Sequence, residues 1–470
     1  MRIPTIARQS RIVASSVVMA ATLLATTGCA LLRSTVGAYE VGPNGIAIPQ
    51  QRLRDALARA DFREALASRD DDALLQALNL GASSYYASQF ARSAAVLDSA
   101  ALIADDRITA SVSKNALSLM TNDMARAYQP RRTERLFIPY YSMLAYVRLE
   151  QWEDAAVEAR RLSALLSQYA ADRTDDERAT HATLHYLAGA VFERAGERGE
   201  ATVAYRNARA LMSRADSDLT ARGNADGDVL VVVERGFIAH RTTESINVFL
   251  GGADRDSLRG DDREARVRTA SSLADRVSRI VSASGAATGD ETPPYKHRAR
   301  SGDDDEDDHY WLSIALPSLR RSLRVAGNPA VFIDGTSVAS WRVSTLIDDA
   351  AAADEHRERA TLLTRAMVRA ATKYAVTQAV ADKKGDVAGS IANIGASLLE
   401  RADIRSWHLL PQEITLIRVR APAGQRTMQL AIGDGSARID RGPITVRTGQ
   451  TTITTVRLWQ EPAPAVIAVR

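Results

Sequence analysis

The chain predicts an α+β multidomain protein: a helical array, then a mixed α/β region, then a small antiparallel β-sandwich. Three observations carry that expectation. From Gln50 to Asp216 apolar residues recur with helical period and few breakers interrupt them. Asp228 to Glu234 is a β-branched run bounded by turn residues. From Trp407 to Val469 short alternating stretches are punctuated by Pro422-Ala423-Gly424, Gly433-Asp434-Gly435 and Thr448-Gly449-Gln450.

The first element, residues 1–28, has the layout of an export signal. Arg2, Arg8 and Arg11 mark its front, the apolar run Ile12 to Ala25 follows, and small residues precede a cut site. That run is shorter than the roughly 20 residues of a membrane-spanning helix. The stretch Leu23-Leu24-Ala25-Thr26-Thr27-Gly28-Cys29-Ala30 resembles a bacterial lipoprotein signal. The resemblance implies that Cys29 is acylated and becomes the new N-terminus, although Thr26 departs from the usual aliphatic residue. Cys29 is the only cysteine of 470 residues, so an intramolecular disulfide is excluded. Ala30 resembles the residue of outer-membrane-directed members, which implies a lipid-anchored protein on the periplasmic face of the outer membrane. One acyl chain holds only marginally at about 0.8 kcal/mol per CH₂, so several, palmitate among them, are expected. The alternative is an ordinary secreted protein in which a cysteine follows the cut by chance.

Without the signal about 440 residues remain, enough for two or three domains at roughly 100–200 residues each and for cores without disulfides. The net charge of +3 equals the three signal arginines, so the remainder is near neutral. Nucleic-acid binding therefore lacks electrostatic support. Residues 29–50, with Gly37, Gly42, Pro43, Gly45 and Pro49, read as a flexible tether.

The helical domain, 51–222, predicts helices at roughly 51–68, 71–88, 90–104, 108–127, 134–149, 151–169, 177–195 and 198–213, joined by short polar links that favour antiparallel neighbours. Gly189, Phe192, Gly196, Ala201, Tyr205 and Ala208 resemble a tetratricopeptide repeat, with small residues where paired helices touch and large ones filling the groove. Weaker copies are Leu80, Gly81, Phe90, Leu97 and Ala100, and Tyr146, Trp152, Ala155, Ala159 and Leu162. Their spacing is not constant, and a non-repeating helical bundle is the alternative.

In the mixed region, 223–402, Asp228–Glu234 predicts a buried strand, Phe237–Leu250 extended structure, and Arg263–Val281 a helix. Residues 282–308 end in Asp303 to Asp308, a like-charge run expected as a solvated, disordered loop; it lacks the spaced ligands of a calcium loop. Tyr310–Pro317 predicts a strand, Ala330–Val338 a hairpin around Asp334-Gly335, and Asp354–Asp382 a long helix. Gly385, Gly389 and Gly395 allow close helix packing, within the fold or against lipid. The last unit, 403–470, predicts strands at Glu413–Arg420, Thr427–Ile432, Thr445–Arg447, Thr451–Trp459 and Ala465–Val469, and resembles sandwich modules of the PEGA type.

Several segments together resemble an uncharacterised family of bacterial lipoproteins with tetratricopeptide-like helices: Arg135–Tyr141 with Ala145-Tyr146, Glu158–Arg161, Trp311–Pro317 and Asp403–Pro411. The likeness implies architecture and location, with a suspected place beside cell-wall synthesis machinery, and no established activity.

Residues that could carry chemistry are sparse. His181 and His185 lie four apart on a predicted helix, without the Glu of a zinc-protease motif or a third ligand. There is no phosphate-binding Gly-Lys-Ser/Thr and no Gly-x-Ser-x-Gly elbow. Neither a metal, a cofactor nor a catalytic residue is assigned. Arg405-Ser406-Trp407 is expected to lock a helix-to-sheet junction, with ligand binding as the alternative. Tyr85, Tyr86, Tyr140, Tyr141, Tyr146 and Trp152 concentrate in the helical domain of a chain that is 5% aromatic. Some must fill the core; Tyr85, Tyr86, Tyr140, Tyr141 and Trp152 are the candidates for a partner-binding groove. The expected function is an outer-membrane-anchored periplasmic scaffold that binds a protein partner and is not an enzyme. The alternative is an envelope carbohydrate-binding or hydrolytic protein using the cleft between helices and sheet, signalled by a buried carboxylate beside His240 or His408.

Overall fold

The computed structural model describes residues 41–114, 127–212, 226–259, 262–284, 310–322, 327–338, 340–384, 402–433, 438–459 and 466–467. Cys29, most of the tether, the acidic run and the glycines of 385–401 lie outside the described residues.

The helical part opens with α1 (Ile48–Ala58) and α2 (Phe62–Ala67) and continues with α3 (Ala73–Tyr86), α4 (Phe90–Lys114), α5 (Arg132–Arg148), α6 (Trp152–Gln168), α7 (Asp175–Ala195) and α8 (Arg198–Leu211). Each packs on the next, as the short links predict. Two expectations change. The helix expected over 51–68 breaks at Ala60, and the break expected between 104 and 108 is absent, since one helix runs through Ala104–Ile108, where no breaker stands, as far as Lys114.

Four hairpins, α1–α2, α3–α4, α5–α6 and α7–α8, turn in the same way. Each has a left-handed residue at the corner: Ala60, Ser88, Glu150 and Gly196, with φ of 60°, 60°, 57° and 86°. The next amide bonds the carbonyl five residues back in every case: Asp61 to Ala56, Gln89 to Ser84, Gln151 to Tyr146 and Glu197 to Phe192, at 2.8–3.0 Å. This is the Schellman closure of a helix C-terminus, and only one corner uses the glycine that makes it cheap. Glycine matters instead at the crossings. A Cβ on Gly81 would lie 2.6 Å from Leu97, and one on Gly189 would lie 2.9 Å from the Tyr205 ring.

Strands follow: β1 (Asp226–Arg235), β2 (His240–Leu250), then α9 (Gly252–Arg259), α10 (Arg263–Ser284), β3 (Tyr310–Arg320), β4 (Pro329–Ile333), β5 (Thr336–Ser337), β6 (Ser340–Leu346), α11 (Ile347–Lys384), β7 (Glu413–Pro422), β8 (Gly424–Ile432), β9 (Arg438–Val446), β10 (Thr451–Leu458) and β11 (Val466–Ile467). The β4–β5 turn is at Asp334-Gly335, both at positive φ, as that dipeptide predicts. Among the described residues no helix is long and apolar enough to cross a membrane.

The strands form a five-stranded sheet in the order β11-β10-β1-β7-β6, a four-stranded sheet β5-β4-β8-β9 and a β2-β3 ribbon. β1 runs parallel to β10 and antiparallel to β7. The expected division at 402/403 is therefore not the one the sheet follows. The five-stranded sheet takes β1 and β6 from before it and β7 and β10 from after it, and it is mixed, where an antiparallel module was expected. The physical reason lies in β1, which is apolar on both faces and must be covered on both. With the period of two that a strand imposes, Val229, Val231 and Val233 face the four-stranded sheet, joining Val331, Ile333, Met428 and Leu430. Leu230 and Val232 face the helices, joining Leu57, Leu78, Phe137 and Leu187. The result is three layers: helices, mixed sheet, second sheet. The ribbon packs separately on α9, α10 and α11 through Leu250, Leu273, Ile314 and Met367.

Candidate functional site

The helix-facing side of the mixed sheet carries polar residues that meet polar residues of α3, α5, α7 and α8. Glu234 continues the alternation of Leu230 and Val232 and points at the helices. Tyr140 donates its hydroxyl to Glu234 Oε1 at 2.9 Å and Tyr86 donates to Oε2 at 3.0 Å. The Tyr86 and Tyr141 hydroxyls are 2.6 Å apart, and the Tyr85 hydroxyl is 2.8 Å from Thr455 Oγ1. Arg457 on β10 places its guanidinium 4.4 Å from the Trp459 ring and 4.0 Å from Glu234 Oε2, and donates to the Gly236 carbonyl.

Burial pushes the Glu234 carboxyl up, opposed by Arg457 and by the hydroxyls donated to it. Burial also holds the phenols of Tyr86, Tyr140 and Tyr141 well above their ordinary range, so they stay protonated donors.

This corrects the groove assignment. Tyr85, Tyr86, Tyr140 and Tyr141 are 0–1% exposed and cannot touch a partner in this conformation. The surface they would have lined is covered by the chain's own sheet. Trp152 stands apart: it is half-buried at the start of α6, with the Arg194 guanidinium 4.4 Å from its ring. The cluster's chemistry is adhesion between layers, since Glu234, Tyr86, Tyr140, Tyr141 and Arg457 are all sealed from solvent.

A second bridge lies along the same interface. Arg418 on β7 binds Asp228 at 2.6 Å, Tyr186 and Tyr205 hydroxyls at 3.2 Å, Glu193 at 3.3 Å and Thr451 at 3.0 Å. Nothing in the sequence marked Glu234 or Arg418 as special. The available signal was a charge inside an apolar strand, which in the interior requires a partner.

Arg405-Ser406-Trp407 lies on the approach to β7, against α5; the segment 385–401 that precedes this stretch lies outside the described residues. The Trp407 amide donates to Glu134 Oε1 at 2.7 Å, its ring is fully buried 5.7 Å from Tyr141, and Arg405 pairs with Asp403 at 2.7 Å. Glu134 also accepts from the Arg131 amide at 2.7 Å, so one carboxylate caps α5 and pins the approach to β7.

His181 and His185 are buried in α7, where burial lowers both to about 4, and no group of three metal-ligating residues occurs among the described residues. His240 and His408 have ring centroids 6.5 Å apart; His240 Nε2 lies 3.1 Å from the Asn44 carbonyl and His408 Nε2 lies 3.4 Å from Ser406 Oγ. Burial first, and then cationic neighbours such as Arg54, keep both imidazoles low. A buried carboxylate of the same region, Asp348, accepts from the Ala239 amide at 2.6 Å and from Gln412 Nε2 at 3.1 Å.

No protein-family profile, curated protein or solved structure matches this chain.

Proposed function

We propose that the chain is a lipid-anchored envelope protein, tethered through Cys29 to the periplasmic face of the outer membrane, that works as a scaffold for a protein partner. The observation that carries this reading is Leu24-Ala25-Thr26-Thr27-Gly28-Cys29 behind a basic and apolar leader, in a chain with no other thiol. The four equivalent hairpin corners, and the Gly81–Leu97 and Gly189–Tyr205 crossings, support a tetratricopeptide-like array. Because that array's inner face is filled by its own sheet, docking falls to other surfaces. The outer helices α4, α6 and α8 each present an exposed aliphatic residue, Leu102, Val157 and Val203.

Cys29→Ser tests the anchor: the wild-type chain should fractionate with membranes and the variant should be released. Retention of the variant in the membrane fraction would remove the lipid reading. Cross-linking in cells followed by capture tests the scaffold: a reproducible protein partner is expected. Recovery of peptidoglycan fragments with no protein would replace the scaffold by a carbohydrate-binding role.

A further inference from the structure

A cavity of about 280 Å³ opens where the segment before α5, the β2-β3 ribbon and α11 converge. Arg131, Arg241, Arg357 and Arg365 line it, against Glu358 and Asp403. The arginines are not equivalent. Arg357 is engaged by Glu177 and Asp354, each at 2.8 Å, and Arg131 by Glu358 at 3.1 Å.

Arg241 differs. Its side chain is 2% exposed, and Nη2 lies near Glu355 Oε2 and 3.6 Å from Glu358. Yet neither Nη1 nor Nη2 makes a hydrogen bond of acceptable geometry, and neither does Glu355 Oε2. A buried guanidinium held by charge alone forfeits the hydrogen bonds that normally offset its desolvation. Burial pushes the Glu355 carboxyl up, which makes it a weak counter-ion. A planar oxyanion in the cavity would meet Arg241 with the fork geometry that guanidinium and carboxylate share.

The lining also sets the ligand class. Glu358, 41% exposed, and Asp403 bring negative charge to the same space. Four arginines outnumber these two acids, so an anion is attracted there, and a ligand with an ammonium a few ångströms from its carboxylate meets both signs. The volume falls just below the roughly 300–1,000 Å³ of pockets for drug-sized molecules, which suits a dipeptide. We propose that this cavity binds the zwitterionic form of a short peptide, with the carboxylate on Arg241 and the ammonium toward Glu358. The inference is independent of the lipid anchor and of the scaffold reading.

Titration calorimetry on the full-length chain in neutral detergent tests it with four probes: glycylglycine, glycylglycinamide, N-acetylglycylglycine and inorganic phosphate. Glycylglycine should saturate. The amide, lacking the carboxylate, should bind at least about tenfold more weakly, the loss of one charge-assisted hydrogen bond. The acetylated peptide should be weaker than glycylglycine, and phosphate, which has no ammonium for Glu358, should also bind more weakly than glycylglycine. Arg241→Gln should abolish binding. Glu355→Gln, which releases the guanidinium from its counter-ion, should tighten it severalfold, and this variant decides the matter if Arg241→Gln fails to fold. Absence of saturation by glycylglycine, phosphate binding as tightly as glycylglycine, or unchanged or weaker binding in Glu355→Gln would overturn the proposal.

Discussion

The Tyr140 hydroxyl on α5 donates to the Glu234 carboxylate on β1 across 2.9 Å, joining residues 94 positions apart in a buried contact. Together with the Tyr86 bond and the Arg418 bridge, it turns the helix–sheet boundary into a polar seam inside an apolar one. A hydrophobic boundary tolerates sliding, whereas hydrogen bonds of fixed geometry do not, so the seam sets how the helices sit on the sheet.

Tyr140→Phe should therefore lower stability by about 1–3 kcal/mol, because a buried carboxylate oxygen loses a donor. Urea unfolding monitored by far-UV circular dichroism measures this, and Tyr86→Phe should behave alike. A cost near zero for both would show the seam to be energetically idle.

Tyr85, Tyr86, Tyr140 and Tyr141 should resist nitration by tetranitromethane in the folded protein and react after denaturation. They are enclosed, and the phenols of Tyr86, Tyr140 and Tyr141 sit well above their usual range. Peptide mapping reads each site, and native-state nitration of any of the four would restore the groove assignment.

Arg418→Met withdraws the closest cation from Asp228, which is 6% exposed, and the donor from two tyrosine hydroxyls. Breaking one side of a buried pair costs about 3–5 kcal/mol. The midpoint of thermal unfolding should fall sharply, and Arg418→Lys should recover only part of the loss because an ammonium cannot reach all the partners of a planar fork.

Gly189→Ala adds a Cβ 2.9 Å from a Tyr205 ring that is itself held by Glu193 at 2.6 Å. Overpacking of this kind costs typically about 1–3 kcal/mol. Gly199, on α8 with open space around its Cβ position, is the control. Gly199→Ala should be neutral or slightly stabilising, since alanine is the better helix former. Differential scanning calorimetry of the two variants separates crowding from propensity.

Glu158 on α6 is pushed up to about 7, chiefly by burial, against the opposing pull of Arg161 at 2.9 Å. A carboxyl whose folded pKa exceeds its unfolded value binds its proton more tightly in the folded chain. It therefore favours folding at low pH, and that contribution is lost as pH rises from about 4 to about 7. Glu158→Gln removes this titration, so its stability relative to the wild type should rise across that window by on the order of 1 kcal/mol. Denaturant unfolding at a series of pH values gives the difference curve, and a flat curve would contradict the assignment.

Local structure was largely legible from the residues. Helical period over 50–216 predicted nearly every helix, and Asp334-Gly335 predicted its turn. The valine run at 228–234 predicted a buried strand. Each of these depends on neighbours a few positions away, through side-chain spacing or backbone preference. What covers a surface does not. Tyr85 and Tyr86 lie beside each other on one helix, and nothing near them in sequence says that Thr455 and Glu234 will close over their hydroxyls. Nor does any local pattern pair β1 with β10, more than 200 residues later, instead of leaving the last strands as a separate module. Periodicity determines which face of an element is apolar, and only the assembled layers decide whether that face meets solvent, a partner or the chain itself, because burial is a property of the packing around a residue and not of its neighbours along the chain.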